Sequence, residues 1–409
     1  MTYLDHAATT PMIPEALAAM TEHLRTLGNP SSLHTSGREA RRVVEEARET
    51  IAQALGSRPS DVVFTAGGTE SDNLALKGMY WSRRAGDPGR RRILASAIEH
   101  HAVLDPLHWL TTEAGAEVEY VPVDGLGRLQ VDALRDGIER DPESVALVSV
   151  MWANNEVGTV QPLAEVVRLA QAHGIPVHTD AVQAVGQLPV DFAASGVDAL
   201  TVSAHKLGGP AGVGALVVRR ELALTPVLHG GGQERDVRSG TLNTPAIAGM
   251  AAAVELAVKR QPEFAAETAA LRDSLVARVR EVVPDAVLNG DPGPGIEHRL
   301  PGNAHLTFPG CDGDLLLMLL DAQRIECSTG SACSAGVPEV SHVLLAMGIS
   351  ESHVRGSLRF SLGHGSSKGD VDRLVEAIGP AVERARAAGV ADRRGRAARG
   401  AVRDDEGGS

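Results

Sequence analysis

The spacing of apolar residues between Arg38 and Leu55 predicts an amphipathic helix. Apolar side chains recur there at intervals of three and four, which places them on one helical face. Short β-rich runs then alternate with helical stretches: DVVFT from Asp61, RILAS from Arg92, VALVSV from Val145, IPVHT from Ile175, ALTVS from Ala199 and GALVVR from Gly214. Strands that alternate with helices in this way predict an α/β fold with a mostly parallel sheet covered on both faces.

The same pattern predicts two domains and a tail. A long helical pattern from about Thr244 to Val283 separates the strand-rich region from a second one that holds AHLTF and SLRFSLG. We therefore expect a large domain at residues 12–255 and a smaller C-terminal α+β domain formed by residues 1–11 and 256–390. Residues 391–409 lack hydrophobic periodicity and are rich in Arg, Gly and Asp, which predicts a disordered tail.

Composition and charge narrow the classes of function. The chain has 409 residues, 43% of them hydrophobic and 22% charged, which is ordinary for a globular enzyme. Its formal net charge of -13 argues against direct binding of nucleic acid or of an anionic membrane, since both would repel an acidic surface. No apolar run approaches the roughly 20 residues that cross a bilayer. We expect neither nucleic acid nor membrane as a partner.

Cysteine usage and the N-terminus predict a cytoplasmic location. The three cysteines are an odd and small number, which does not suit a disulfide framework. The N-terminal segment MTYLDHAATTP has no basic stretch followed by an apolar core, so we expect no export signal. A reducing compartment follows from both observations.

The segment SAHKLGGPAGVGAL places Lys206 directly after a predicted strand, among small residues that let a ligand approach the backbone. Most lysines are surface charges. Asp180 makes this one a candidate, because it ends another predicted strand in HTDAVQ, and ligands of such folds gather at the carboxyl ends of strands. Pyridoxal phosphate (PLP) chemistry uses such a pair: a lysine for the Schiff base and an acid that keeps the pyridine nitrogen protonated.

The segment FTAGGTESDNLAL offers a phosphate site. Gly67 and Gly68 follow a predicted strand, and Thr69 stands where a helix should begin, which is the arrangement that points backbone N–H groups at an anion. Such turns also connect strands to helices in many proteins, so a plain turn is an alternative. A purely structural role is likewise open for three polar residues after predicted strands: His100, Ser203 and His205.

Arg359 lies in the alternating run SLRFSLG, where strand geometry places it opposite its apolar neighbours. A guanidinium that faces the interior needs an anion, and its fork of donors matches a substrate carboxylate. An internal salt bridge is the alternative.

Cys333 lies in the segment STGSACSAG, whose small and hydroxyl residues predict a mobile, water-exposed loop. Cysteine is usually buried, whereas this segment predicts a thiol that is exposed to solvent. A thiol that merely happens to lie in a turn is the alternative. We interpret Cys311 and Cys327 as structural, since the spacing of Cys327 and Cys333 does not match a familiar zinc pair.

Together these segments resemble the cysteine desulfurases of the NifS/IscS type, a branch of the class V aminotransferase superfamily with the fold type I architecture. The resemblance covers nearly the whole chain in order and spacing, through YLDHAATTP, GNPSSLHTSGREAR, FTAGGTESDN, EHHAVLD, NNEVGTVQP, HTDAVQAVG, SAHKLGGPAGVGAL, GGGQERDVRSGTLNTP, STGSAC and SLRFSLG. It implies a fold type I PLP-dependent transferase with PLP as the cofactor and with no metal.

The resemblance also implies a role for each candidate residue. Around the cofactor it implies Lys206 as the Schiff-base lysine, Asp180 as the partner of the pyridine nitrogen, His100 stacked on the ring and able to pass protons, and Gln183 bonded to the phenolic oxygen. The phosphate would be held by Gly68, Thr69, Ser203 and His205, with Thr241 reaching in from a second subunit. A homodimer is therefore the expected working unit.

For the substrate, the resemblance implies that Asn155 and Arg359 hold the carboxylate of L-cysteine. Cys333 would attack the substrate sulfur and carry it away as a persulfide, leaving L-alanine. The sulfur acceptor would be an iron–sulfur scaffold or a tRNA-thiolating enzyme. A selenocysteine lyase or an aminotransferase of the same superfamily would share the cofactor site, and a cofactor-free redox or metal-binding protein acting through Cys327 and Cys333 is the alternative from another class.

Overall fold

The computed structural model describes residues 1–329 and 340–405, with side chains up to residue 388. Twelve helices in this part of the chain are α1 (Pro14–His23), α2 (Thr35–Ala54), α3 (Gly68–Gly86), α4 (His101–Ala114), α5 (Val131–Glu139), α6 (Leu163–Gln171), α7 (Phe192–Ser195), α8 (Thr244–Val282), α9 (Gly313–Asp321), α10 (His342–Ala346), α11 (Glu351–Val354) and α12 (Lys368–Asp405). The strands are β1 (Thr2–Tyr3), β2 (Val62–Thr65), β3 (Arg92–Ser96), β4 (Glu117–Val121), β5 (Val145–Ser149), β6 (Val177–Asp180), β7 (Ala199–Ser203), β8 (Gly214–Val218), β9 (Val287–Leu288), β10 (Asn303–Thr307), β11 (Ile325–Glu326) and β12 (Ser357–Ser361).

Strands β2 to β8 form one seven-stranded sheet in the order β2-β8-β7-β6-β5-β3-β4. Neighbours from β7 to β4 run parallel, whereas β8 is antiparallel to both β7 and β2. Helices α3 and α4 pack on one face of the sheet, and α2, α5, α6 and α8 pack on the other. The predicted α/β fold with a mostly parallel, doubly covered sheet is confirmed.

A second hydrophobic core lies in the C-terminal part of the chain. A three-stranded antiparallel sheet of order β12-β10-β9 packs with helices α9 and α12, and the N-terminal strand β1 pairs with β11 beside it. Helix α8 contributes its first half to the large core and its second half to this one. Two cores joined by α8 fit the predicted smaller α+β domain, whose boundaries stay a prediction.

Helix α12 extends further than the sequence pattern predicts. It runs to Asp405, so a helix covers residues 391–405, where we expected a disordered tail. Ala and Arg dominate this stretch, and both are good helix formers even without an amphipathic pattern. None of the helices in residues 1–329 and 340–405 combines the length and apolar character needed to cross a membrane.

A buried ion pair fixes the strand that leads into the candidate phosphate turn. Arg48 in α2 donates from Nη2 to Glu234 Oε1 at 2.7 Å and from Nη1 to Oε2 at 2.9 Å. The second oxygen also accepts from the backbone N–H of Phe64 in β2 at 2.8 Å. One carboxylate therefore joins α2, β2 and the segment that leads on to residue 241.

We expect Glu234→Gln to destabilise the protein by up to about 3–5 kcal/mol, because it leaves the buried guanidinium of Arg48 with only the half-exposed carboxylate of Glu45 as a counter-charge. Denaturant unfolding monitored by circular dichroism measures this change. Glu221→Gln, which breaks the exposed pair with Arg58, is the matched control and should shift the midpoint far less. Equal shifts for the two variants would contradict the role of the buried pair.

Candidate active site

Three elements bring the candidate residues to one edge of the large sheet. Strands β6 and β7 are parallel neighbours, so Asp180 and Ser203 end at the same edge. Helix α3 begins there as well, since a Cβ added to Gly68 would lie 3.6 Å from the Ser203 Cβ. The candidate residues predicted at the carboxyl ends of the strands therefore lie at one edge of the sheet in the structure.

The amine of Lys206 is held by backbone carbonyls of the N-terminal segment. Its Nζ donates to the Ala7 oxygen at 2.6 Å and to the Ala8 oxygen at 2.8 Å. Burial lowers the pKa of this lysine to about 8, with a further lowering from Arg359 and an opposing effect from Asp180. The site thus contains an amine that loses its proton far more readily than an ordinary lysine.

Asp180 is a buried carboxylate with unusual surroundings. Its Oδ1 accepts from the Val182 backbone N–H at 2.8 Å. Burial raises its pKa to about 7, and the nearby carboxylate of Asp72 raises it too. On the same face of β6, His178 lies 2.9 Å from the Ser149 hydroxyl through Nδ1. A carboxylate so costly to ionise suits a cationic partner such as a protonated ring nitrogen.

Local backbone geometry explains the glycines of the phosphate turn. Gly67 precedes α3 with φ 152°, a conformation that favours glycine over residues with a side chain. A Cβ on Gly68 would meet Val182 at 3.1 Å, so the start of the helix approaches the sheet closely. The first N–H groups of α3 have no intrahelical acceptor, and Thr69 is exposed beside them. This helix start can hold a phosphate.

His100 and Gln183 lie at the same edge but already have protein partners. His100 caps α4, with Nδ1 accepting from the Ala102 backbone N–H at 3.0 Å. Burial lowers its pKa to about 4, so the ring is neutral and carries its hydrogen on Nε2. Gln183 donates from Nε2 to the Ala7 oxygen at 2.9 Å. The structural role that the sequence left open for His100 is therefore present, with Nε2 still available.

Two further residues, His205 and Thr241, were predicted to hold the phosphate. His205 lies 3.2 Å from the Thr9 hydroxyl through Nδ1, and burial lowers its pKa to about 4. Thr241 is exposed. Its exposure agrees with a residue that would serve another subunit, and its predicted role stays a prediction.

Arg359 in β12 is 4% exposed and reaches across to the large domain. Its Nη1 donates to the Asn155 carbonyl oxygen at 3.1 Å, and its Nη2 donates to Asp5 Oδ1 at 2.8 Å. Its Nε has no partner among the residues that the structure describes. The structure therefore brings Arg359 and Asn155 together, and it also contains the internal salt bridge that was the alternative reading.

Cys333 lies outside the described residues. On either side of it, Ser328 pairs with Arg359 through backbone hydrogen bonds of 3.2 and 2.7 Å, and the Ser341 hydroxyl donates to the buried Glu156 carboxylate. The other two cysteines are buried, and burial raises the pKa of Cys327 to about 12. Cys327 is thus a poor thiolate, which does not favour a redox or metal role.

Sequence reasoning missed several residues that complete this site. Asp5, Glu156, Asp72 and His178 all contact or flank candidate residues, and none was singled out from the sequence. The only signal was their position inside the matched segments YLDHAATTP, NNEVGTVQP, FTAGGTESDN and HTDAVQAVG. No group of three or more His, Cys, Asp or Glu side chains that could hold a metal occurs in residues 1–329 and 340–388.

The arrangement fits a molecule with an anionic phosphate at one end and a basic ring nitrogen at the other. The start of α3 and Ser203 supply donors at one end, and the buried Asp180 supplies a carboxylate at the other. Lys206 offers a readily deprotonated amine at the same sheet edge. PLP combines a phosphate, a ring nitrogen and an aldehyde that a lysine amine attacks, so these residues fit it.

Comparison with known families and proteins agrees with this geometry. The family profile described as Aminotransferase class-V matches residues 2–374. The chain is 57% identical over 391 residues to an IscS-like cysteine desulfurase of Mycobacterium tuberculosis, covering 96% of this chain and 98% of that protein. It is 42% identical over 385 residues to the cysteine desulfurase IscS of Dictyoglomus turgidum, covering 94% and 95% of the two chains.

Solved structures show the same likeness in three dimensions. A NifS-like protein superposes with a TM-score of 0.85 at 36% identity, covering 94% of this chain and all of that one. A NifS-like protein from Rickettsia africae gives a TM-score of 0.84 at 32% identity, covering 94% and 99%. A third structure, titled as SspA in complex with cysteine, is 33% identical with a TM-score of 0.75 and covers 89% of this chain and 99% of that one.

Proposed function

The chain belongs to the class V aminotransferase family and is a PLP-dependent cysteine desulfurase, and from this premise we propose that Cys333 receives the sulfur. L-cysteine and the Cys333 thiol give L-alanine and a Cys333 persulfide. The carbon–sulfur bond of the substrate breaks, one sulfur–sulfur bond forms, and a proton ends on the β-carbon of the product. The solved structure of SspA with cysteine supports L-cysteine as the substrate class.

The observation that carries this proposal is the placement of the Lys206 amine at the same sheet edge as Asp180. PLP, when bound, withdraws electrons from the substrate carbon that bears the amine. We propose that Asp180 holds the ring nitrogen in its protonated form and that Gln183 contacts the phenolic oxygen. Gly68 and Thr69 at the start of α3 would hold the phosphate, together with Ser203 and His205.

Lys206 is proposed to carry protons as well as to anchor the cofactor. With a pKa of about 8, much more of its Nζ is neutral near pH 7 to 8 than in an ordinary lysine, so it can accept a proton from the substrate. The carbonyls of Ala7 and Ala8 hold the amine when it is protonated. His100 presents a neutral Nε2–H, which suits a donor and a stacking ring beside the reacting atoms.

The substrate carboxylate is proposed to bind Arg359 and Asn155. Arg359 has hydrogens left on both terminal nitrogens after its contacts with Asn155 and Asp5, and it is almost fully buried. A guanidinium in such surroundings binds a carboxylate more strongly than one in water. This places the substrate between the small sheet and the cofactor edge.

We propose that the working unit is a homodimer. Large apolar side chains are exposed on α1 and in the segment that follows it: Leu17 at 54%, Leu24 at 59%, Leu27 at 83% and Leu33 at 87%. Exposed apolar surface of this kind suits an interface. A second copy would cover it and would let Thr241 reach the phosphate, and sedimentation of Leu27→Glu against wild type tests this.

The persulfide is proposed to pass to a protein thiol in the cytoplasm, on an iron–sulfur scaffold or a tRNA-thiolating enzyme. Both acceptors offer a thiolate, which is the nucleophile that a persulfide transfers sulfur to. The buried, unpaired Cys311 and Cys327 suit a reducing compartment.

An assay of products tests the proposed reaction. We expect the purified protein, given L-cysteine and dithiothreitol, to release alanine and sulfide in equal amounts. L-selenocysteine and an amino-acid and keto-acid pair serve as comparison substrates. Turnover of selenocysteine with cysteine inert would identify a lyase instead, and exchange between amino and keto acids without sulfide would identify an aminotransferase.

A further inference from the structure

Two buried nitrogen atoms on neighbouring strands of the small sheet lack hydrogen-bond partners among the described residues. They are Nε2 of His305 in β10 and Nε of Arg359 in β12. The two residues are directly opposite in the antiparallel register. Opposed residues place their side chains on the same face with Cβ atoms about 5 Å apart. The two side chains, 0% and 4% exposed, therefore share one interior site.

Both of these nitrogens are donors. Asn289 Nδ2 lies 2.9 Å from His305 Nδ1 and 2.8 Å from the Thr307 hydroxyl. An amide nitrogen only donates, so Nδ1 accepts and the ring hydrogen of His305 is on Nε2. The Nε of Arg359 always carries a hydrogen. Two buried N–H groups thus lie on the same face of the small sheet with no acceptor among the residues that the structure describes.

The ring of His305 is neutral. Burial lowers its pKa to about 3, and the neighbouring charges of Arg359 and Arg299 lower it further. His305 therefore adds a donor beside Arg359 without adding a second buried positive charge. A neutral donor next to a fixed cation suits an anionic acceptor better than a neutral one.

A bound ligand can supply the acceptor. The other two nitrogens of Arg359 donate to Asp5 and to the Asn155 carbonyl. A buried donor without a partner is destabilising, and a bound ligand is one explanation for its presence in a folded protein. A carboxylate oxygen can accept from two donors at once, and the proposed substrate brings a carboxylate to Arg359.

We propose that His305 is a substrate-binding residue that selects for the α-carboxylate: its Nε2–H and the Arg359 Nε–H converge on one oxygen of that group. The inference rests on the proposed function, since it takes Arg359 as the carboxylate site. His305 determines which amino compounds bind well, whereas Lys206 and Asp180 act on any primary amine that reaches the cofactor.

Binding of two matched ligands to the holoenzyme tests the proposal. L-alanine has the carboxylate and no sulfur to transfer, and L-alaninamide replaces the carboxylate with a neutral amide. Both dissociation constants come from the change in cofactor absorbance on titration. We expect His305→Leu to weaken binding of L-alanine by about 10- to 100-fold, the range for a hydrogen bond to a charged group. Binding of L-alaninamide, whose neutral carbonyl oxygen also accepts a hydrogen bond, should weaken by only about 2- to 10-fold.

Three further variants serve as controls. His305→Gln keeps an N–H donor at a similar reach and should recover most of the affinity for L-alanine. His305→Asn keeps a polar side chain, but that side chain is too short to reach the substrate carboxylate. We therefore expect it to weaken L-alanine as His305→Leu does, and it replaces His305→Leu in the test if the leucine variant does not fold. Thr307→Val removes the other partner of Asn289 on the same face of β10. It should leave the ratio of the two dissociation constants unchanged.

Two results would overturn the role of His305. Equal weakening of both ligands would mean that the residue acts only on packing, and no weakening of either would mean that water alone satisfies the two donors. A wild-type holoenzyme that bound neither ligand would instead overturn the proposed function, and the inference with it, which separates the two failures.

Discussion

Cys333→Ala is expected to abolish release of alanine from L-cysteine, to less than about 1% of the wild-type rate, because no other side chain replaces a thiolate nucleophile. The cofactor spectrum and its linkage to lysine should stay as in the wild type, since this substitution leaves Lys206 and Asp180 in place. Alanine measured by chromatography and sulfide measured in the presence of dithiothreitol report the loss.

Cys327→Ala is the matched control for this experiment. Cys327 is 8% exposed and burial raises its pKa to about 12, so its removal should cost packing but little activity. Mass spectrometry of the wild type after a single turnover should find one added sulfur atom on the peptide that holds Cys333. Wild-type turnover by Cys333→Ala would show that the nucleophile is another group.

Lys206→Ala is expected to lose the covalent link to PLP and to lower turnover by about a thousandfold or more, because this one amine is proposed both to anchor the cofactor and to move the substrate proton. Absorbance of the purified protein reports the link, and borohydride reduction followed by peptide mapping locates it. In the wild type the pyridoxyl label should fall on the peptide containing Lys206.

Lys77→Ala is the appropriate comparison for this variant. Burial lowers the pKa of Lys77 as well, and its Nζ stacks 4.3 Å from the ring centre of Trp109, on the face of the sheet that carries α3 and α4. Lys77→Ala should keep both the absorbance of the bound cofactor and the rate of alanine release. Label on Lys77, Lys259 or Lys368 in the wild type would contradict the assignment of Lys206.

Much of the large domain could be predicted because its strands are short apolar runs with polar boundaries. Helices α2 and α8 follow regular apolar spacing and end within three residues of their predicted bounds. Strand β4 was not predicted, because EVEYV lies at the sheet edge, buries only Val121 and lacks the continuous apolar run of the other strands. The helix over residues 391–405 was also missed, since an amphipathic pattern is absent there.

The site residues also include some that the sequence indicates and some that only the structure reveals. Lys206 and Asp180 could be picked out as candidates, since Asp180 ends one strand, Lys206 comes soon after another, and the pair belongs to a recognisable chemistry. Asp5 and Glu156 could not, because their partners Arg359 and Ser341 lie 354 and 185 positions away in the sequence. A single sequence carries no information on which of its polar residues meet across such separations. Contacts between the small sheet and the large one therefore required the structure.

The tethering of both ends of the segment around Cys333 limits how far sulfur can be delivered. Ser328 is bound to Arg359 through the backbone, and Ser341 is bound to Glu156 beside Asn155. Cys333 lies five residues after the first of these anchors, so its Cα stays within about 17 Å of Ser328 in any conformation. That distance is less than the width of a small protein domain. With Cys333 in its proposed role as sulfur carrier, a recipient protein would have to bring its own thiol within that distance of Ser328, which disfavours partners whose thiol lies in a deep recess.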